Sequence, residues 1–293
     1  MPPGPVPTGS AGAPVTLVAP AKLNLNLRII GRRADGYHYL ESAVVFTDFS
    51  DSLTLHRHAG SGDDSLEVSG PFSRAMPADA ADNICLRAVQ GFRDGGGVCA
   101  PLHIRLDKQI PTGAGLGGGS SDAAAILRHL NRTSPAPLSG KKLADVALSL
   151  GADVPVCLAG GAQHMTGIGE TLAAIDPAPT GHVVLARPDI ALSTPEVFAG
   201  LTPADPPHPH GESAGGDARA LVAFGNDLTA AAVQLAPAIS ELLAAISACA
   251  GCLVSQMSGS GSACFGLFPD KASAQAAAGR LQAAGYWAVA TRF

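Results

Sequence analysis

The feature of this sequence that most constrains its fold is a glycine-rich segment, PTGAGLGGGSSDAAA, at residues 111–125. Five of the seven residues from Gly113 to Gly119 are glycine. The segment follows an alternating apolar run, Leu102 to Leu106, and precedes a run of strong helix formers. Glycines let the backbone adopt positive φ and approach a ligand closely, and the free N–H groups of a helix start attract anions. The pattern predicts a phosphate-binding loop between a strand and a helix.

Other kinds of glycine-rich segment fit less well. A P-loop requires lysine directly after its last glycine, whereas Ser120 follows Gly119 here. A dinucleotide-binding loop agrees with the spacing of Gly113, Gly115 and Gly118, but it needs an acidic residue about 20 positions on, at the end of a second strand. This sequence instead predicts a loop and a helix there. A turn that binds no ligand is disfavoured, because so many glycines carry an entropic cost that a simple turn does not need.

Composition excludes several classes of protein. Of the 293 residues 46% are apolar and 15% are charged, which indicates a globular chain of one large or two fused domains. The net charge of -5 argues against binding to nucleic acid. The apolar stretch from Leu228 to Ala250 contains Pro237 and Glu241 and predicts a buried or amphipathic helix, not a membrane span. We expect a cytoplasmic protein, monomeric or homodimeric, that binds neither nucleic acid nor membrane.

The cysteine and histidine patterns do not predict a metal site. The six cysteines lie mostly in apolar runs, which is typical of reduced core thiols, and the Cys249 and Cys252 pair lacks a second pair at metal-binding spacing. His208 and His210 fall in a Pro- and Gly-rich stretch, residues 203–218, that predicts a surface loop. The identity of any metal ligand is therefore left unknown.

The remaining patterns predict a mixed α+β chain. Val15 to Ile30 indicates strand, turn and strand, and the polar residues 58–70 indicate a loop followed by a short strand. The residues Ser120, Ser121 and Asp122 are of the types that cap helices, so they are expected to start the helix after the glycine loop. The other predicted elements are a strand within residues 42–57, helices near residues 82–92, 139–150 and 271–284, a strand pair around residues 258–268, and a final strand at residues 287–291.

Two charged residues stand out in these elements. Lys22 lies in an otherwise apolar strand, LVAPAKLNLNL, where a cation is costly unless it is paired or faces a polar cleft. Asp153 follows the predicted helix that stops at Gly151, so its side chain can project into a cleft. Asn24 lies two residues from Lys22, hence on the same face of a strand, and can donate or accept a hydrogen bond.

The glycine-rich segment resembles the second motif of the GHMP kinases, the superfamily named for galactokinase, homoserine, mevalonate and phosphomevalonate kinases. Four further blocks resemble the same superfamily in the same order: APAKLNL at 19–25, GRRADGYH at 31–38, LGADVP at 150–155 and SGSGSA at 258–263. The last three are similar to the branch that acts on 4-diphosphocytidyl-2-C-methyl-D-erythritol.

The resemblance implies a two-domain α+β fold. Residues 1–14 would be a flexible tail, residues 15–163 an ATP-binding α/β domain of the ribosomal protein S5 domain 2-like type with a mostly antiparallel sheet, and residues 164–293 a ferredoxin-like α+β domain that binds substrate. The active site would lie in the cleft between them. ATP, carrying Mg²⁺, would phosphorylate the 2-hydroxyl of the cytidylyl alcohol, in the non-mevalonate route to isopentenyl diphosphate.

The resemblance also implies residue roles. Asp153 would be the catalytic base, and Lys22 would pair with it and stabilise the developing alkoxide. The polyol of the substrate would contact Asn24, and its cytidine would lie near Tyr37 and His38. Phe198 would stack on the cytosine ring. The diphosphate would lie near Gly259 and Gly261. ATP would be held by Pro111, Thr112, Gly113, Ala114, Gly115, Leu116, Gly117, Gly118, Gly119, Ser120 and Ser121.

Two alternatives remain open from the sequence. Other GHMP enzymes, such as homoserine or mevalonate-type kinases or a diphosphomevalonate decarboxylase, share the glycine loop, although the GYH and LGADVP blocks argue against them. A fold of this kind can also serve as a sensor that binds ligand without catalysis. The presence of both Lys22 and Asp153 argues against a sensor.

Overall fold

The computed structural model describes residues 13–34, 36–57, 63–75, 82–201 and 217–293. The predictions for His208, His210, most of the 203–218 loop and most of the tail lie outside these residues. The strands are β1 (Val15–Asn24), β2 (Arg28–Arg32), β3 (His38–Arg57), β4 (Ser65–Ser69), β5 (Leu102–Asp107), β6 (Gln163–Gly167), β7 (Thr171–Ala174), β8 (His182–Arg187), β9 (Val254–Met257), β10 (Cys264–Phe268) and β11 (Trp287–Arg292). The helices are α1 (Ile84–Asp94), α2 (Gly118–Thr133), α3 (Gly140–Leu150), α4 (Val154–Ala159), α5 (Thr194–Ala199), α6 (Ala218–Ala223), α7 (Thr229–Leu235), α8 (Ala238–Ser247) and α9 (Lys271–Ala283).

A seven-stranded sheet forms the first half of the molecule, and the long strand β3 is its centre. β3 pairs antiparallel with β1, β2, β5 and β6, while β4 joins β5 in parallel. α2 packs against β1, α1 and α4. Apolar side chains from these elements, including Phe92, Ile104 and Leu127, fill one buried core. The mostly antiparallel sheet that the sequence predicts is confirmed.

A four-stranded antiparallel sheet, in the order β11-β8-β10-β9, forms the second half, with α8 and α9 packed against it. Its own core includes Leu242 and Leu281. A third buried cluster joins the two sheets and contains Leu23 of β1, Phe265 of β10 and Leu116 of the glycine loop. The glycine loop therefore lies where the two halves meet.

The strand pairing bears on the division between the halves. β6 and β7 pair with each other and β6 pairs with β3, so both belong to the first sheet. The domain boundary between residues 163 and 164 stays a prediction. The strand pairing favours a boundary after Ala174.

Several predicted elements agree with the structure. β5 and β11 form at their predicted positions, as does α9. α3 begins at Ser139, whose side chain accepts a hydrogen bond from the Lys142 N–H, and it ends at Gly151. The free thiols expected from the sequence are also present, since all the cysteines are unpaired. None of the helices in the described ranges is long and apolar enough to cross a membrane.

Three local predictions were wrong. β4 lies inside residues 58–70, which were predicted to be a loop, because pairing with β5 outweighs the polar local sequence. The start of α2 is capped by Gly117 in the left-handed conformation, so Ser120, Ser121 and Asp122 lie inside the helix. The stretch from Leu228 to Ala250 forms two helices, since Pro237 has no N–H with which to continue the first.

Candidate active site

A cavity of about 950 Å³ lies at the meeting point of the two halves. Lys22 and Asp153 both line it. So do all the residues that the resemblance assigns to substrate, namely Asn24, Tyr37, His38, Phe198, Gly259 and Gly261. Segments distant in sequence thus converge on one space.

The glycine loop forms one wall of the cavity. Pro111 to Gly115 and Gly117 to Ser120 line it, whereas Leu116 and Ser121 are buried and do not. A Cβ placed on Gly115 would lie 2.6 Å from the Ser258 carbonyl oxygen, and one on Gly117 would lie 2.9 Å from Lys22 Cβ. Both glycines have positive φ. These two positions require glycine, because the neighbouring chain comes too close for a side chain.

Hydrogen bonds from both halves fix the loop. The Lys22 N–H donates to the Leu116 carbonyl at 2.8 Å, and the Ala263 N–H donates to the Ala114 carbonyl at 3.0 Å. The Ser258 hydroxyl also donates to the Gly115 carbonyl at 3.3 Å. The late SGSGSA turn therefore packs against the glycine loop.

Lys22 and Asp153 form the ion pair that the sequence predicts. Lys22 Nζ lies 2.7 Å from Asp153 Oδ2, with the lysine side chain 4% exposed and the aspartate side chain 37% exposed. The pairing of β1 with β3 shifts register between Pro20 and Lys22, and such an irregularity changes the direction of the side chain that follows it. Asp153 occupies the cap position of α4 but makes no side-chain capping bond. Its carboxylate is thus free to face both Lys22 and the cavity.

Asn24 lines the cavity, and the orientation of its side-chain amide is fixed by Ser42. Its Nδ2 donates to the Ser42 hydroxyl at 2.8 Å, and that hydroxyl donates its one hydrogen to the Asn26 carbonyl at 2.5 Å. Because Ser42 has no second hydrogen to give, it must accept from the Asn24 amide nitrogen. Asn24 Oδ1 is buried, has no hydrogen-bond partner among the described residues and lies near Gly259. Of the two roles open from the sequence, accepting is the one for which Asn24 has an atom without a partner among the described residues.

His38 and Phe198 come together from opposite halves of the molecule. Their ring centroids are 5.5 Å apart with a tilt of 34°. Burial and the nearby Arg32 guanidinium hold the pKa of His38 below its ordinary value, so its imidazole is neutral at neutral pH. Tyr37, which is 63% exposed, stands at the rim of the cavity beside them. The neutral imidazole and the Phe198 ring therefore offer an uncharged aromatic surface to a ligand.

Sequence reasoning missed several polar residues around the loop. Lys108 lines the cavity and pairs with Asp51 and Asp122, which are fully buried. Asn226 donates to the carbonyls of Met257 and Gly259 and so holds the late turn. Asp51 stands between two serines in FSDSLTL, so it lacks the signal that identified Lys22, a charge inside an apolar run. Asp122 was missed because an aspartate at the predicted start of a helix was interpreted as a helix cap.

Comparisons with known proteins identify the family. Family models described as GHMP kinases N terminal domain and GHMP kinases C terminal match residues 83–161 and 214–286. The chain is 45% identical over 273 residues to a 4-diphosphocytidyl-2-C-methyl-D-erythritol kinase of Paramagnetospirillum magneticum, covering 92% of this chain and 94% of the relative. The protein of the same name from Paracoccus denitrificans is 44% identical, with 93% of this chain and 94% of that relative covered.

Solved structures agree with the sequence matches. The crystal structure of a 4-(cytidine 5'-diphospho)-2C-methyl-D-erythritol kinase is 33% identical, with a TM-score of 0.77 over 95% of this chain and 98% of that one. The structure of a homoserine kinase from Cytophaga hutchinsonii has a TM-score of 0.68 at 17% identity, over 98% of this chain and 96% of that one. At this low identity the comparison shows only that the two proteins share a fold. The predicted resemblance and the two-domain α+β fold are confirmed. The chain belongs to the GHMP kinases and, within them, to the family of 4-diphosphocytidyl-2-C-methyl-D-erythritol kinases.

Proposed function

We propose that this protein transfers the γ-phosphoryl group of ATP to the 2-hydroxyl of 4-diphosphocytidyl-2-C-methyl-D-erythritol, a step of the non-mevalonate route to isopentenyl diphosphate. The observation that carries the proposal is the ion pair of Lys22 and Asp153. It stands in one cavity with the glycine loop and with the paired rings of His38 and Phe198. This arrangement provides a phosphate site, a base and a surface for a nucleobase.

Phosphoryl transfer depends mostly on positioning and on neutralising charge. The N–H groups at the start of α2 and in the glycine loop would hold the phosphates of ATP. The Asp153 carboxylate would take the proton of the attacking hydroxyl. Lys22 Nζ, at 2.7 Å from that carboxylate, orients it and stabilises negative charge as it develops on the alcohol oxygen.

Asn24 is the group we assign to the alcohol of the substrate. Its unpartnered Oδ1 accepts a hydrogen bond from a hydroxyl of the erythritol chain. Because the Ser42 contact fixes the orientation of the amide, the site favours a ligand that donates at this point. A buried acceptor left without a donor is costly, so an analogue that lacks this hydroxyl binds less well.

Mg²⁺ is assigned to the nucleotide and enters with it as part of the substrate. In the part of the chain that the structure describes, no three His, Cys, Asp or Glu side chains come together to hold a metal ion. Mg²⁺ commonly binds through substrate phosphates with few protein ligands.

Replacing Phe198 with alanine tests the cytidine site. Loss of a stacking ring costs about 1–3 kcal/mol per base, so we expect KM for the cytidylyl substrate to rise by about 5- to 140-fold. KM for ATP should stay unchanged, because the ring lies on the substrate side of the cavity. Steady-state kinetics with each substrate varied in turn measures both values. Phe198→Tyr keeps the ring and is the matched control; an equal rise of KM in both variants would contradict stacking.

A coupled assay of ADP release tests the function itself. With Mg-ATP as donor, the protein is given 4-diphosphocytidyl-2-C-methyl-D-erythritol, homoserine or mevalonate in parallel. We expect turnover on the cytidylyl alcohol alone. Turnover only on homoserine or mevalonate would overturn the substrate assignment but not the family, and nucleotide binding without turnover on any alcohol would favour a sensor.

A further inference from the structure

A buried ionic cluster, formed by Lys108, Asp51 and Asp122, lies beneath the glycine loop, and the function proposed above assigns it no role. Lys108 Nζ lies 2.5 Å from Asp51 Oδ2 and 2.6 Å from Asp122 Oδ2. The lysine side chain is 1% exposed and both aspartates are fully buried. Burying three charged groups is costly, and an apolar core would be simpler. The cluster therefore calls for an explanation beyond packing.

Its position connects the cluster to the nucleotide site. Lys108 lines the cavity, and its Nζ lies 3.0 Å from where a Cβ on Gly118 would be. Gly118 is the first residue of α2, whose N–H groups face the proposed phosphates. Of the three hydrogens on the ammonium, only two have acceptors among the described residues, namely the two aspartates. The third hydrogen has no acceptor there, and because the side chain is 1% exposed, a ligand would have to bind directly against Gly118 to accept it.

The two aspartates are held differently. Asp51 Oδ1 accepts hydrogen bonds from the N–H groups of Gln109 and Ile110, at 2.6 and 2.7 Å. Asp122 has the bond from Lys108, and its Oδ1 is buried without a hydrogen-bond partner in the described structure. Hydrogen bonds to a carboxylate favour its charged form, and Asp51 has more of them. Asp122 is thus the carboxyl on which a proton settles.

The charge of the cluster depends on that proton. With both aspartates ionised, one ammonium faces two carboxylates and the cluster carries a net negative charge below the phosphate site. Burial, opposed by Lys108 and reinforced by Asp51, raises the pKa of Asp122 to about 7. Desolvation alone lowers the pKa of Lys108, but the carboxylates of Asp122 and Asp51 outweigh it and raise this pKa above its ordinary value. Lys108 stays protonated, and Asp122 is the member that titrates.

Ionisable groups also lie on α1, α4, β1 and α3, elements packed against α2. Burial raises the pKa of Cys85 in α1 and of Cys157 in α4, so both thiols stay neutral. In β1, Lys22 is paired with Asp153. The charged residues of α3 are exposed to solvent: Lys141, Lys142 and Asp145.

We propose that Lys108 is a positioning residue for the nucleotide phosphates, and that Asp122 takes up a proton when the nucleotide binds. Protonation makes the cluster neutral and leaves the Lys108 ammonium to donate its third hydrogen toward a phosphate oxygen. The proposal rests on the ATP site proposed above and adds a proton to the binding step.

The direction of the pH effect follows from charge. A nucleotide brings further negative charge, which raises the pKa of Asp122 in the complex above its value in the free protein. Binding then takes up protons between these two pKa values, so affinity is greatest below about pH 7 and falls as pH rises through that range. A pKa rise of about one unit on binding corresponds to about a tenfold increase in Kd across the range.

The experiment is calorimetric titration with the β,γ-imido analogue of ATP in excess Mg²⁺ at about pH 6.5, 7.5 and 8.5. Each titration is repeated in two buffers of different ionisation enthalpy, which gives the number of protons taken up. For the wild type we expect Kd to rise about tenfold and proton uptake to be measurable near pH 7.5. Asp122→Asn keeps the shape and an acceptor for Lys108 but cannot ionise, so its Kd should vary less than about twofold and its proton uptake should vanish.

Controls separate the possible outcomes. Asp145→Asn, an exposed aspartate on α3, should keep the wild-type dependence on pH. Proton uptake that persists in Asp122→Asn, or that is absent in the wild type, overturns the inference and leaves the kinase proposal standing. Absence of nucleotide binding at every pH overturns both. If Asp122→Asn does not fold, NMR of the wild type labelled with ¹³C at aspartate carboxyls decides: one buried aspartate must titrate near pH 7 in the free protein and stay protonated with nucleotide bound.

Discussion

Replacing Asp153 with asparagine is expected to lower kcat at least about 100-fold, the smallest loss typical of removing a general base. The amide can still accept a hydrogen bond from Lys22 but cannot take the proton of the attacking hydroxyl. Nucleotide affinity should change less than about twofold, because the hydrogen bonds that hold the glycine loop come from Lys22, Ser258 and Ala263, and Asp153 caps no helix through its side chain. Rapid-quench or coupled kinetics at saturating substrate measures kcat, and calorimetry measures the affinity.

The design of this test separates chemistry from folding. The Asp153 side chain is 37% exposed, so the variant is expected to fold and its melting temperature checks that it does. Asp145→Asn, in the helix just before Asp153, changes the same functional group at an exposed position and should leave kcat as in the wild type. A value of kcat within about threefold of the wild type in Asp153→Asn would remove this residue from the role of base and direct the search to another acceptor at the cavity.

The ion pair itself could be predicted from sequence, and the reason is physical. A lysine within an apolar strand needs a partner or a polar cleft, which made Lys22 conspicuous without any structure. The elements that local patterns predict best, such as α3 with Ser139 and Gly151 at its ends, depend only on neighbours in sequence. β4 could not be predicted in this way, because it exists through pairing with β5, whose residues lie more than thirty positions away.

The finer features of the site depend on distant segments and were not predictable. Which amide atom of Asn24 is left without a partner is decided by Ser42, a residue on another strand, and by the carbonyl to which Ser42 donates. Likewise Lys108 looks like an ordinary lysine after a strand until the fold brings Asp51 and Asp122 to it. Sequence patterns therefore predicted which segments meet, whereas the direction of each hydrogen bond required the structure.

Replacing Gly115 with alanine is expected to be the most damaging single change to the glycine loop. Its φ is 75°, in the left-handed region, and an added Cβ would lie 2.6 Å from the Ser258 carbonyl oxygen and 2.9 Å from the Gly261 carbonyl oxygen. Both oxygens belong to the late turn, which is bonded to the loop through Ala114 and Ala263. The methyl group must push the loop and the turn apart, which opens the cavity and breaks these bonds.

We expect Gly115→Ala to lower the free energy of unfolding by about 2–4 kcal/mol and kcat/KM by about 100-fold or more, since positive φ and overpacking add their costs. Gly113→Ala is the matched control, because its φ of 62° carries the same strain while its Cβ would be 3.8 Å from the nearest side chain, that of Ala191. It should lose only about 1–2 kcal/mol, the cost of the left-handed conformation. Chemical denaturation and steady-state kinetics on both variants measure the two effects. If the two variants lose equal stability and activity, backbone strain alone accounts for the loss, and the close approach of the late turn has no role in holding the phosphate site.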